Sequence, residues 1–260
     1  MNESRDHIDN IRDQFTRQAD AYVRMAQTTN ERGLRRLVSL ASAEAHQRAL
    51  DVACGPGFLT MAFADVCAST VGLDATDEFL ARARDEAARR GLENIEFQKG
   101  DAEHLPFDDA SFDIVSCRAA FHHFPHPERV LAEMQRVAAV GGRVVIADML
   151  ASDEPDKAEY HNRVERLCDP THVRALSAAE FEAMFAEVGL EILQQPRSTL
   201  DYELDDWISH GGPSAEEARE IHELMGASVE TDLCGLNVRR EGGRLHFSHT
   251  AVAYVLQARS

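Results

Sequence analysis

From about residue 46 to Asp148 the chain alternates short apolar, β-branched runs with longer amphipathic stretches, and that alternation leaves few folds open. The strand candidates are Ala49–Ala53, Thr70–Leu73, Ile95–Lys99, Phe112–Cys117 and Arg143–Asp148. Between them lie the helix candidates Leu59–Val66, Asp77–Arg90 and Pro127–Val137. Strands that take turns with helices are the signature of βαβ units and a mostly parallel sheet. The helix over Asp77–Arg90 is marked at both ends. Acids occupy its first turn, arginines its last, and Gly91 follows as a cap, so charge and macrodipole agree.

Beyond Asp148 the charged segment 150–176 breaks the rhythm. SAAEFEAMFAEVGLEIL restores it as a helix capped by Ser177 and stopped by Gly189, leading into a strand near Glu191–Gln195. Residues 205–240 read as helical and irregular, and RLHFSHTAVAYVLQAR as a long final strand. Ahead of the first strand, residues 4–45 read as helices with Phe15, Tyr22, Leu34, Leu37 and Leu40 at apolar positions. The expected organisation is one domain, 1–260: an N-terminal helical cap (1–45), a core (46–150), additions at 151–176 and 205–240, and remaining core at 177–200 and 244–260.

Composition narrows the partners. With 27 basic against 45 acidic side chains the formal charge is −18, which repels phosphate backbones and anionic bilayers, so neither nucleic acid nor membrane is expected as a partner. No apolar run approaches the roughly 20 residues that span a bilayer, and the N-terminus does not read as a signal peptide. Five widely spaced cysteines form no disulfide framework. A reducing cytoplasm is the expected setting.

The chemistry gathers where strands end. LDVACGPG places Gly55 and Gly57 in a turn between a strand and a helix, where the missing Cβ lets backbone approach a ligand. Glycine turns of this kind also serve packing alone. There is no GxxxxGK[ST] loop, and the dinucleotide GxGxxG fails because Thr60 stands where a third glycine belongs. A nucleotide-like ligand without a pyrophosphate is therefore favoured. Asp74 ends the second strand and can accept hydrogen bonds from both hydroxyls of a ribose, or cap the helix that follows. Asp101 ends the third, where it can receive an adenine amino group or close a turn.

LDVACGPG, VGLDAT, GDAEHLPFDDASFDIVSCRAAFHHF and LAEMQRVAAVGGRVVIAD, in that order over residues 48–150, resemble the successive motifs of class I S-adenosylmethionine-dependent methyltransferases, in particular the subgroup of ubiquinone and menaquinone biosynthesis. RLCDPTHVRALSAAEFEAMF is similar to a bacterial branch of small methyltransferases. The resemblance implies an α/β fold: a Rossmann-like, seven-stranded, mostly parallel sheet with an antiparallel last strand, helices on both faces, a helical N-terminal cap and two helical insertions. It implies S-adenosyl-L-methionine as cofactor and S-adenosyl-L-homocysteine as product.

Carried over by position, Asp51 lies under the methionine amino group while Gly55 and Gly57 give backbone access to it. Asp74 holds the ribose, Ala75 packs against adenine, and Asp101 with Ala102 reads the adenine edge. Arg118 follows the fourth strand, where the family holds the methionine ammonium with backbone carbonyls, and Tyr22 is a further cofactor contact. The family's first motif glycine is Ala53 here, tolerable if that residue keeps β geometry.

Transfer of a methyl group from a sulfonium is an in-line displacement that needs alignment and exclusion of water, with no intrinsic need for a metal. An oxygen or nitrogen acceptor loses a proton, for which a histidine is the natural base. His123, with His122, is the candidate, as base or as a group positioning the cofactor; the alternative is a histidine merely packed in its loop. Two adjacent histidines make an improbable metal site, and none is expected. The acceptor, a small molecule that Arg118 and Arg174 together suit to an anion, is expected to meet Phe15, His172, Arg174, Tyr202 and Trp207, although the aromatic residues equally suit packing. Methylation of a thiol or arsenite at Cys168 and Cys234, another cofactor-consuming reaction such as a cyclisation, and a non-catalytic binding module are the competing readings. A monomer or homodimer is expected.

Overall fold

The computed structural model describes residues 31–258; Phe15 and Tyr22 lie outside them. The strands are β1 (Arg48–Val52), β2 (Ser69–Asp74), β3 (Ile95–Lys99), β4 (Phe112–Arg118), β5 (Ala138–Leu150), β6 (Leu190–Gln194), β7 (Arg197–Glu203), β8 (Arg239–Glu241) and β9 (Arg244–Ala258). The helices are α1 (Glu31–Leu40), α2 (Phe58–Ala64), α3 (Asp77–Arg90), α4 (Pro127–Val137), α5 (Pro155–Cys168), α6 (Ala178–Glu187), α7 (Leu204–Gly211) and α8 (Ala215–Thr231).

The core sheet runs in the order β3-β2-β1-β4-β5-β9-β6. β1 to β5 are parallel and β9 is antiparallel to β5. That is the expected seven-stranded arrangement, enlarged to nine strands by β7 and β8, which both pair with β9. The long final strand makes the enlargement possible. Its C-terminal half lies between β5 and β6, while its N-terminal half extends past them and collects β7 and β8.

Alternation along the strands sorts side chains onto two faces. Leu50, Val52, Val115, Val144 and Ile146 join α4 and α6 in one core, and Ala49, Ile114 and Val145 join α1 and α2 in the other. In α1 the buried residues are Leu34, Leu37 and Val38, the i, i+3, i+4 spacing of a single stripe. α3 ends as its sequence dictates, with Gly91 at φ 69° and its N–H on the carbonyls of Ala87 and Ala88. α6 begins with a full capping box between Ser177 and Glu180. The charged segment after Asp148 contains the 14-residue helix α5, in keeping with the two helical insertions that the resemblance implies. This helix packs on α8, where the Tyr160 hydroxyl donates to the Leu224 carbonyl at 2.9 Å. Val164, Ile221, Met225, Leu236 and Phe247 form the separate apolar cluster that holds α5, α7 and α8 over the N-terminal half of β9.

β2 and β3 lie to one side of β1, and β4 and β5 to the other, so the strand order reverses between β1 and β4. In open α/β sheets this reversal opens a crevice outside the carboxyl ends of the strands.

Candidate active site

The crevice has a volume of about 1100 Å³, including its open mouth, and its lining comes from the carboxyl ends of β1, β2, β3 and β4. Asp51, Ala53, Gly55, Asp74, Ala75, Asp101, Ala102, Arg118 and His123 all line it, so residues read from three separate motifs converge on one place. Phe79, Leu73, Phe124 and Pro125 add apolar surface that the sequence alone did not single out.

Asp74 ties the glycine turn to the second strand. Its two carboxylate oxygens accept the N–H groups of Gly55 and Thr76, each at 2.8 Å. Both structural and ligand-binding readings of this residue are compatible with that geometry, since a carboxylate has about four acceptor sites. Burial pushes its carboxyl above the usual range. Gly57, at φ 77°, starts α2; a Cβ there would fall 2.7 Å from the Phe97 ring. Unlike Gly55, Gly57 is not among the residues lining the crevice, and its missing side chain serves the packing of the turn.

Ala53 departs from the sequence expectation. Its φ is 53°, in the left-handed region, rather than in β geometry. Ala119, just past β4, repeats this with φ 52°. An L-residue there carries a cost of about 1–2 kcal/mol, so strained alanines stand on both sides of the strand reversal.

Asp51 sits on the crevice floor between two hydroxyls that sequence reading missed. Thr60 and Ser116, both fully buried, donate to its two oxygens at 2.8 Å each. A threonine on the inner face of FLTMAFA and a serine within FDIVSC were the available signals. Burial outweighs these donors and the nearby Arg118 guanidinium, raising the Asp51 pKa from 3.8 to about 6. The Asp51 carboxylate contributes to pushing up the buried thiols of Cys54 and Cys117.

The sign for stability follows directly: protonation of Asp51 favours the folded chain at low pH, and that contribution is lost as pH rises through about 6. A cationic ligand reverses the preference by stabilising the carboxylate. Affinity for such a ligand is therefore expected to fall up to about tenfold per unit as pH drops below 6. Calorimetry in buffers of different ionisation enthalpy should also show proton release on binding near that pH.

His122 and His123 occupy a single 3₁₀ turn, Phe121–His123, and diverge. His123 faces the crevice and its Nδ1 lies 3.1 Å from the Thr171 carbonyl. That carbonyl can only accept, so Nδ1 carries the proton and the neutral ring's basic lone pair is on Nε2. Burial, with the His122 ring close by, lowers its pKa to about 4. His122 turns inward to Asp148, Nδ1 to Oδ1 at 2.6 Å. Burial opposes charge on both, yet the pair wins: His122 is raised and Asp148 lowered.

The remaining acceptor candidates separate. His172 is buried behind the crevice, its Nε2 2.8 Å from Asn162 Oδ1 and its ring stacked on His122. Arg174 pairs with Glu180 and is not among the lining residues, so it does not join Arg118 there. Tyr202 and Trp207 pack on Phe247, at 5.5 and 5.2 Å between ring centroids, in the cluster beneath the additions. Cys168 and Cys234 belong to that cluster too. The cysteine that lines the crevice is Cys54.

Residues 50–146 match a family profile described as a methyltransferase domain. The uncharacterised methyltransferase YcgJ of Bacillus subtilis is 36% identical over 83% of this chain and 86% of its own length. The chain belongs to the S-adenosylmethionine-dependent methyltransferases. The crystal structure of YcgJ superimposes with a TM-score of 0.82 at 30% identity, covering 89% of this methyltransferase and all of the other chain. A demethylmenaquinone methyltransferase of Thermus thermophilus is 41% identical over 44% of this chain and 52% of its own. S-adenosylmethionine is the cofactor of this methyltransferase family. Among the described residues, no helix is long and apolar enough to cross a membrane.

Proposed function

We propose that this methyltransferase moves a methyl group from S-adenosylmethionine to oxygen, nitrogen or carbon of a small molecule, with cofactor and acceptor meeting in the crevice at the strand reversal. The observation that carries this reading is the convergence of Asp51, Asp74, Asp101, the Gly55 turn and His123 on the lining of one crevice. In it, Asp74 takes the ribose hydroxyls, Ala75, Asp101 and Ala102 surround the adenine, and Asp51 faces the methionine amino group.

When bound, the cofactor supplies an electrophilic methyl on a cationic sulfur. Held by Asp51, Asp74 and Asp101, it would offer that methyl to the acceptor atom and retain the electron pair of the broken carbon–sulfur bond as a neutral thioether. The chain's contribution is alignment and dryness. A neutral His123 suits the neighbourhood of a sulfonium, which would repel an imidazolium. Its Nε2 can take an acceptor proton or hold the acceptor hydroxyl by accepting its hydrogen bond. The acceptor's proton then leaves through that nitrogen or directly to solvent.

Cofactor labelled in its methyl group, incubated with a host extract divided into small-molecule filtrate and retained macromolecules, tests the proposal. Label should appear in a filtrate component together with S-adenosylhomocysteine. Label confined to macromolecules, or binding without turnover, would reject it. Against the acceptor so found, His123→Gln is expected to lower kcat by about 100-fold or more while cofactor Kd stays within a factor of two.

A further inference from the structure

Behind the histidines of the crevice lies a second polar cluster that methyl transfer does not use. His161 and Glu165 stand one turn apart on α5, and His249 projects from β9. Each is at least nine-tenths buried, with relative exposures of 0, 5 and 3%. One imidazole nitrogen from each histidine and one carboxylate oxygen all lie within 4.8 Å of one another. Both rings address the same oxygen: His249 Nε2 is 2.8 Å from Glu165 Oε1, and His161 Nε2 is 3.3 Å from it.

Those separations are those of ion pairs, yet among the described residues none of the three atoms has a partner in hydrogen-bonding geometry, and His161 Nδ1 has none either. The surroundings offer no water-like relief. His249 is walled by the rings of Phe247 at 5.1 Å, Tyr202 at 5.3 Å and Trp207 at 6.4 Å. Buried nitrogen and carboxylate atoms that face one another outside hydrogen-bonding geometry are costly in such a cage, and one ion common to all three would satisfy them.

We propose that His161, Glu165 and His249 form a binding site for a first-row divalent transition metal of the zinc class. The spacing fits the coordination. Bonds of about 2.1 Å place neighbouring ligand atoms about 3.0 Å apart at right angles and about 3.4 Å apart at the tetrahedral angle. The longer nitrogen–oxygen separation, 3.3 Å, falls in that interval, and the shorter, 2.8 Å, lies just below it. Two imidazoles and one carboxylate are a donor set that suits zinc and its neighbours and disfavours magnesium or calcium, which take oxygen. Three protein ligands leave a position for water or an added group. The ion ties α5, in the first addition, to β9, the strand shared by the core sheet and the second addition. Its first role is therefore to lock the wall that carries His172 against the sheet.

Untagged protein, stripped with chelator and dialysed, should take up one equivalent of Co²⁺ with visible ligand-field bands, and Zn²⁺ should displace it. Zn²⁺ should raise Tm by several degrees. His249→Gln and Glu165→Gln should each lose the bands and at least about tenfold in affinity, whereas His46→Gln, at an exposed histidine, should bind as the parent does. If the variants do not fold, X-ray absorption on the zinc-loaded parent decides, with a shell of two imidazoles and oxygen expected. No uptake at micromolar metal, uptake that survives in a folded His249→Gln protein, or a shell lacking two imidazoles would each overturn the site.

Discussion

Asp74→Ala is expected to weaken S-adenosylmethionine binding by about 100-fold, the largest effect of any single substitution in the cofactor half of the site. Two hydroxyl-to-carboxylate hydrogen bonds at roughly 1.5–3 kcal/mol each set that scale, even after allowing for partial replacement by water. The substitution also releases the N–H groups of Gly55 and Thr76, which now share the carboxylate, so the glycine turn loses its anchor to β2. Asp74→Asn separates the two effects. It keeps one oxygen and the volume, and should retain the fold while losing most of the gain from charge. Calorimetric Kd values for the three proteins, with melting curves beside them, test this. Wild-type affinity in Asp74→Ala would show that the ribose is held elsewhere.

The second large effect falls on stability. Gly57→Ala should destabilise the chain by about 2–4 kcal/mol, because two costs coincide. The residue's φ of 77° penalises any L side chain, and the new Cβ would lie 2.7 Å from one Phe97 ring carbon and 3.0 Å from the Ala83 Cβ. Phe97 is a large ring in a close-packed cluster with Leu80 and Ala83, so it cannot withdraw without opening a gap. Gly55→Ala is the control. Its added Cβ has 4.0 Å to the nearest Phe79 atom, leaving backbone strain alone, so it should cost about 1 kcal/mol. Urea denaturation of both variants distinguishes them; equal losses would refute the packing argument.

What the sequence revealed is what local chemistry determines. β1 to β5, the glycine turn and the acids at the ends of β1, β2 and β3 were legible because period-two runs, turn residues and caps act over a few neighbours. The partners that tune the site were not, since they meet only across the fold. Asp148 reaches His122 over 26 positions, and Thr171 reaches His123 over 48. Ala53 misled in a different way: alanine carries no mark of a left-handed backbone, and only the turn's geometry imposes it. In the 150–176 segment the helical insertion was implied by the resemblance and not by periodicity, because PDKAEYHNRVERLC devotes its buried face partly to His161, Asn162 and Glu165. β7 and β8 exist only because the final strand is long enough to recruit them.

The proposed function requires that one crevice seat the cofactor across the strand reversal, adenine toward Asp101 and sulfur toward His123. A crystal structure of the chain with S-adenosylhomocysteine is the decisive test. Ribose hydroxyls are expected within hydrogen-bonding distance of the Asp74 carboxylate, the amino group above Asp51 and the sulfur facing the 121–125 segment. A nucleoside bound in the opposite direction, or outside this crevice, would contradict it.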